Sequence, residues 1–184
     1  MTIASSIQPS ERRYDAVTIF LHWTTAVLVV ALFLTSMAWT YAPRDWGLRS
    51  LQGVHISLGV GLAAAIVGRL IWRAIFGRRL PGEGPTVSRI LAKIVHIGLY
   101  ALLVIQIALG IGLQWFSGDD LSFFGLLSIP SPFAENRDLG DRLEQLHLIV
   151  AWSIMLLAFG HAAAALVHQY VAKDRVLERM LPSA

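Results

Sequence analysis

Two histidines of this chain, His147 and His161, stand fourteen residues apart within one long uncharged stretch. In an α-helix this spacing makes about four turns and about 21 Å of rise, so both imidazoles lie on one face at different depths. An imidazole without partners is costly to bury in hydrocarbon, and a neutral imidazole is a common metal ligand. The pair therefore favours two stacked metal centres along one membrane-spanning helix, which is the arrangement of an electron carrier.

The remaining histidines can be sorted by their depth along the predicted helices. His55 and His147 each closely follow a charged residue at the start of their helices. Both therefore lie near one end of the bundle, which the charges discussed below identify as the outer end, and they can share one metal ion. His22 lies in the inner half of the first helix and needs a partner at that depth. The candidates for this partner are His161, His168 and His96.

Depth and distance disagree about the partner of His22. Along the helix, His168 lies about 7 Å and His161 about 18 Å from the charge of Lys173, so depth slightly favours His168. A centre ligated by His168 would however lie about 31 Å from the outer one, against about 21 Å for His161, and the longer gap weakens electron transfer. From the spacing of residues alone, the choice stays open.

Four helices must position these side chains. The chain has 184 residues, of which 55% are hydrophobic, far more than a soluble domain needs. Each long uncharged run approaches or exceeds the roughly 20 residues that cross a bilayer as a helix, and none shows the alternation of a lipid-facing strand. We expect an all-α, integral membrane four-helix bundle that forms a single domain over residues 1–184. Its helices are predicted at about residues 16–40, 51–74, 92–117 and 143–172.

The distribution of charge predicts the orientation of the bundle. The connector between the second and third helices is rich in Arg and Lys, as are the two terminal segments, and such residues concentrate on the cytoplasmic side. Both termini are therefore predicted to be cytoplasmic. We call the cytoplasmic end of the bundle the inner end. Arg69 and Arg73 could neutralise the propionates of a haem at the inner end, but as residues that fix topology they need no such role. The segment between the third and fourth helices is net acidic and should face outward.

Composition also excludes several classes of function. The basic residues are those that fix topology, so no nucleic-acid role is expected. The chain has no cysteine, which rules out iron–sulfur clusters and covalently attached haem. The first apolar run is too long for a cleaved signal peptide. Any haem would be bound non-covalently, as in b-type cytochromes.

Two segments outside the helices carry further predictions. The outer segment DDLSFFGLLSIPSPFAENRDLGDRLE is too long for a turn, and its phenylalanines and prolines suggest a lid at the membrane interface. The tail KDRVLERMLP is expected to extend the fourth helix into the cytoplasm.

Four segments of the chain resemble the bacterial cytochrome b561 family. They are YDAVTIFLHW from Tyr14, VHISLG from Val54, AKIVHIGLY from Ala92 and, most specifically, GHAAAALVHQY from Gly160 followed by KDRVLERMLP. The resemblance covers nearly the whole chain. It implies a four-helix bundle with two non-covalent haem b groups, the inner one ligated by His22 and His161 and the outer one by His55 and His147.

The resemblance also implies a function and its partners. Within the family, members of the superoxide-oxidising type pass electrons to ubiquinone, and a histidine seven residues past the last ligand lies at the quinone site, a position that His168 occupies here. A lysine associated with that site lies in the connector before the third helix, where this chain differs. His168 and His96, at the predicted inner boundary, are our candidates for the quinone site.

We therefore expect a superoxide:ubiquinone oxidoreductase of the bacterial inner membrane. Arg44, Arg49, Arg137 and Arg142 are the only outer cations that could attract superoxide. A second hypothesis is an electron-transfer subunit that serves a separate dehydrogenase or c-type cytochrome, since the acidic outer segment suits a basic protein donor. A third is a non-haem bundle whose histidines relay protons. The expected partners are lipid, ubiquinone, superoxide or a periplasmic donor protein, with a second copy of the chain as a further candidate.

Overall fold

Four long helices form the protein in the computed structural model, which describes residues 13–43, 47, 50–78, 80 and 85–182. The helices are α1 (Ala16–Tyr41), α2 (Leu51–Ile75), α3 (Thr86–Phe116) and α4 (Arg137–Val167). All four are long and apolar enough to cross a membrane. The prediction of an all-α membrane bundle is thereby confirmed.

Two helices begin earlier than the sequence indicated. α3 starts at Thr86 rather than near residue 92, and α4 starts at Arg137 rather than near residue 143. The predicted bounds followed the charged residues that limit a membrane span. A helix can nevertheless extend beyond the hydrocarbon where capping groups accept hydrogen bonds from the backbone amides of its first turn. At the start of α4 the side chain of Asn136 accepts a hydrogen bond from the Leu139 amide at 3.1 Å, and Asp138 lies in the first turn, where a negative charge is favourable.

The outer segment forms a small hairpin, an element that the sequence analysis did not anticipate. Strand β1 (Leu121–Phe123) pairs antiparallel with β2 (Leu127–Ile129). The turn between them holds Phe124 at φ 48° and Gly125 at φ 71°. The amide of Phe124 donates a 2.8 Å hydrogen bond to the buried hydroxyl of Ser57 on α2. The predicted lid is thus a hairpin fastened to the outer end of α2.

The tail does not extend α4 into the cytoplasm, so that prediction was wrong. After α4 the chain makes a π-helical turn over His168–Ala172, and Lys173 then adopts a left-handed backbone with φ 58°. A short 3-10 helix at Leu177–Met180 returns toward α1. There the indole of Trp23 donates a 2.7 Å hydrogen bond to the Met180 carbonyl, which holds the returning tail against α1.

Three layers of side chains fill the interior, spaced by seven residues, slightly less than two helical turns. The middle layer belongs to the buried apolar core, in which Leu62, Leu103 and Ile154 are each less than a tenth exposed. From the inner end, the layers are His22, Arg69, His96 and His161; then Val29, Leu62, Leu103 and Ile154; then His55, Gly110 and His147. The apolar layer thus separates two layers that carry the histidines.

Asp15 fastens the inner ends of α1 and α2 together. Its carboxylate caps α1 by accepting from the Thr18 amide at 2.9 Å, and it also accepts from the Trp72 indole at 2.8 Å. Burial acts to raise the pKa of Asp15, but hydrogen bonds from Thr18, Trp72 and the Arg78 amide outweigh it and lower the pKa from the ordinary 3.8 to about 2.

We expect the stability of the protein to depend on this carboxylate at low pH. Because the folded-state pKa lies below the unfolded value, the stabilisation is complete above pH 3.8 and is lost as the pH falls toward 2. Thermal unfolding in detergent should show a drop over this range that is smaller in Asp15→Asn. At neutral pH, Asp15→Ala should cost about 1 kcal/mol through loss of the cap. The control Asp141→Asn, an exposed carboxylate at the outer end, should keep the wild-type pH profile.

Candidate metal centres

The outer pair of histidines joins α2 to α4. The ring centres of His55 and His147 lie 6.3 Å apart with their planes inclined by 70°. Nδ1 of His55 is 2.9 Å from the backbone carbonyl oxygen of Leu32, with the Thr35 hydroxyl at 3.3 Å. A carbonyl only accepts, so Nδ1 carries the proton and the lone pair of Nε2 is available to a metal. The contact fixes the ring of His55 in an orientation that would suit a metal ligand.

The inner pair joins α1 to α4. The ring centres of His22 and His161 lie 6.4 Å apart with their planes inclined by 78°. A third imidazole, His96 from α3, lies with its ring centre 5.0 Å from that of His161. Both pairs therefore connect the α1–α2 hairpin to α4, and the inner one has an additional histidine beside it.

Both pairs have the separation that two imidazoles need on opposite sides of one metal ion. Metal–nitrogen bonds of about 2 Å place the two ring centres about 6 Å apart. Among the described residues, no group of three or more His, Cys, Asp or Glu side chains is placed to hold a metal ion by itself. Each pair could therefore supply two ligands, and a planar macrocycle such as haem would supply the others.

The surroundings of His55 leave room for such a group. Gly59 lies one turn after His55 on the same face of α2 and is half-buried, yet a Cβ added there would meet no atom within 4 Å. A flat ligand could therefore lie directly against this backbone. The donor types, their separation and this space all fit a haem.

The structure brings His22 to His161 rather than to His168. Nδ1 of His168 instead lies 2.6 Å from a carboxylate oxygen of Asp174, in the segment that follows the π-helical turn. His96 is exposed, and its Nδ1 lies 2.6 Å from the carbonyl oxygen of Ala92. The two quinone-site candidates thus differ in place: His96 adjoins the inner pair, whereas His168 belongs to the folded tail.

Arg69 and Asp174 were not assigned to the site from sequence. A guanidinium nitrogen of Arg69 lies 3.0 Å from Nδ1 of His22, and the guanidinium carbon lies 5.1 Å from the ring centre of Tyr100. The sequence does contain a signal for this placement, because Arg69 follows His55 by the same fourteen residues that separate His147 from His161. No comparable spacing marks Asp174, whose contact depends on the left-handed turn at Lys173.

The outer surface around the hairpin is acidic. Arg137 and Arg142 are both exposed, and Arg137 forms an ion pair with Glu135 at 2.5 Å. Arg44 and Arg49, which were also considered as cations for an anionic donor, lie outside the described residues. The exposed carboxylates in this region are Asp119, Asp120, Glu135, Asp138, Asp141 and Glu144.

Comparison with known proteins finds a matching family model and several relatives. The family model for prokaryotic cytochrome b561 matches residues 13–183. Cytochrome b561 homolog 2 of Escherichia coli is 30% identical over 96% of this chain and 95% of its own length. The Probable superoxide oxidase CybB of Yersinia pestis is 29% identical over 93% of this chain and 97% of its own. Cytochrome b562 of Cereibacter sphaeroides is 31% identical over 93% and 96%, respectively.

Proposed function

Because the chain belongs to the prokaryotic cytochrome b561 family, we propose that it binds two haem b groups and oxidises superoxide at its outer end while reducing ubiquinone at its inner end. As a family member it is a haem-binding electron-transfer protein that crosses the bacterial inner membrane several times. This membership removes the hypothesis of a non-haem bundle. The number of haems, the donor and the acceptor are the parts that we propose.

The two histidine pairs are the observation that carries this proposal. His55 with His147, and His22 with His161, have nearly equal ring separations of 6.3 and 6.4 Å at opposite ends of the bundle. Haem bound at these pairs would supply one-electron chemistry at both ends. The protein fixes the four imidazoles on long helices, and the apolar middle layer excludes water between them.

Superoxide as the donor is supported by one relative and opposed by the local charge. The Yersinia pestis relative bears the name of a superoxide oxidase. The described outer surface is nevertheless acidic, and an anion approaches such a surface slowly unless nearby cations compensate. Each superoxide would release one electron and leave as dioxygen, so it needs access to the outer pair but no proton.

Ubiquinone as the acceptor is supported by features of the inner end. A largely apolar groove of about 860 Å³ runs along the inner half of α1, and Trp23 forms part of its wall. The Trp23 ring lies edge-on to His22 with the ring centres 5.5 Å apart, so a ligand in the groove is one side chain from the inner pair. Reduction of the quinone consumes two electrons and two protons. The contact between His168 and Asp174 offers a path for those protons at the water boundary.

The acidic outer surface favours one alternative donor, a basic electron-transfer protein. Opposite charges accelerate the encounter of two proteins, and this acceleration weakens as salt screens it. In that case the chain would act as an electron-transfer subunit without substrate chemistry of its own. The sign of the salt dependence separates the two donors, because added salt would slow a basic protein but not superoxide.

Replacing one histidine of the outer pair should remove one haem. We expect His147→Ala to retain about half of the wild-type haem, with the remaining haem keeping its absorption and paramagnetic-resonance signals, because His22 and His161 are untouched. Haem content by pyridine haemochrome and low-temperature spectra would measure this. Retention of both haems with unchanged spectra would contradict the ligand assignment.

Gly110 should be needed for the position of His147. A Cβ at Gly110 would lie 3.1 Å from Cε1 of His147, whereas one at Gly112 would meet only the flexible side chain of Leu143 at 3.2 Å. Gly110→Ala is therefore expected to displace the imidazole and to alter the spectrum of one haem. The matched control Gly112→Ala should leave both spectra unchanged, and equal effects of the two substitutions would argue against a ligand role for His147.

Stopped-flow mixing of the oxidised protein with superoxide tests the proposed reaction directly. We expect rapid haem reduction that added ubiquinone reverses, and in His168→Ala a haem reduction of unchanged rate with reoxidation slowed roughly tenfold or more, as for loss of a proton-transferring group. Haem that stays oxidised with superoxide but is reduced by a basic c-type cytochrome, at a rate that falls with salt, would establish the alternative donor. Unchanged reoxidation in His168→Ala would remove His168 from the quinone site.

A further inference from the structure

Arg69 carries a charge into the inner layer of the bundle. It lies on α2 six residues before the helix ends at Ile75, which is about 9 Å of helical rise. Its side chain does not extend toward that end. It points into the bundle instead, where it contacts the ring nitrogen of His22 and the face of Tyr100.

This cation has no anionic partner among the described residues. The ion pairs given for those residues all involve other side chains, and none of their carboxylates lies within 4 Å of the guanidinium. An arginine cannot shed its proton inside a protein, so its charge must be compensated or it strongly destabilises the fold. The contact with the Tyr100 face provides only part of that compensation.

The contact with His22 is itself incompatible with metal ligation through Nε2. Guanidinium only donates hydrogen bonds, so Nδ1 of His22 accepts from Arg69 and the ring proton lies on Nε2. A histidine that binds a metal through Nε2 carries its proton on Nδ1 and donates it. When His22 acts as a ligand, two donors would face each other, and Arg69 then needs a different acceptor.

A second polar group beside Arg69 also lacks a partner. The hydroxyl of Tyr100 is buried and forms no hydrogen bond with the described residues. A phenolic hydroxyl next to a guanidinium is a suitable pair of donors for a carboxylate. Haem b carries two carboxylate side chains, its propionates, and therefore brings the missing acceptor.

We propose that Arg69 and Tyr100 bind a propionate of the inner haem. This inference rests on the proposed haem at His22 and His161 and identifies how its carboxylate is held. The positive charge would favour the reduced form of that haem, and its release from His22 would let His22 adopt the ligating tautomer. Haem binding and the neutralisation of the half-buried Arg69 are then one event.

The strongest competing acceptor is the phosphate of an anionic lipid at the inner surface. A long side chain near a helix end can extend to the headgroups, and Arg73, one turn closer to that surface and exposed, does so more easily. The inward contacts of Arg69 favour the haem. Signals from the haem itself distinguish the two acceptors, because a lipid phosphate would leave them unchanged.

Resonance Raman spectroscopy of the purified, haem-loaded protein tests the proposal, with the propionate bending band as the readout. In Arg69→Leu this band should shift and the midpoint potential of one haem should fall, with the other haem unaffected. Arg69→Lys should keep most of the potential but shift the band, since a lysine lacks the two-pronged geometry. Tyr100→Phe should shift the band alone. Arg73→Leu is the matched control and should leave band and potential as in the wild type.

An unchanged band and potential in Arg69→Leu, with both haems retained, would overturn the proposal and leave the haem ligands unaffected. If Arg69→Leu does not fold, unchanged bands in both Arg69→Lys and Tyr100→Phe would overturn it equally. Failure of the proposed function is a separate result, because it would appear in the wild-type protein as absent haem or as no reaction with either donor.

Discussion

The cost of placing polar groups inside an apolar bundle determines the arrangement of this protein. An imidazole or guanidinium that crosses into hydrocarbon must find a partner there, or the fold loses several kcal/mol. The chain meets this constraint by collecting such groups in two layers and leaving the layer between them apolar. The layers are spaced by seven residues on each helix, which keeps them on one helix face. Because neighbouring helices share this spacing, the polar side chains of one layer lie at the same depth. Each layer therefore becomes a binding site.

The two polar layers solve the constraint differently. In the outer layer His55 donates to the carbonyl of Leu32, and Gly110 makes space for His147, so contacts within the protein hold both imidazoles in place. The inner layer contains a cation and the unpaired hydroxyl of Tyr100 besides its histidines, and it is complete only with an anionic group. In the proposed haem site, a propionate would supply this anionic group. If both layers bind haem as proposed, the positive charge at the inner layer would make the two centres unequal.

The sequence predicted those features that follow from spacing and hydropathy. Four spans and the opposition of His55 to His147 could be anticipated because both depend on helical periodicity and on depth. Spacing alone did not identify the partner of His22, since depth and distance favoured different histidines; the family resemblance implied His161, and the fold brings the rings of His22 and His161 together. From sequence, Arg69 was interpreted as a residue that fixes the orientation of the bundle, because a cation near the end of a membrane span fits that role. The hairpin and the folded tail depend on positive φ at Phe124 and Lys173, which residue type seldom indicates.

The segments at the two ends are connected to the helices beside the candidate ligands. At the outer end, Ser57, two residues after His55, holds the hairpin through the Phe124 amide. At the inner end, Trp23, adjacent to His22, holds the returning tail through the Met180 carbonyl. Because both attachments lie next to candidate ligands, a donor or acceptor bound at either end segment would lie close to a candidate metal centre.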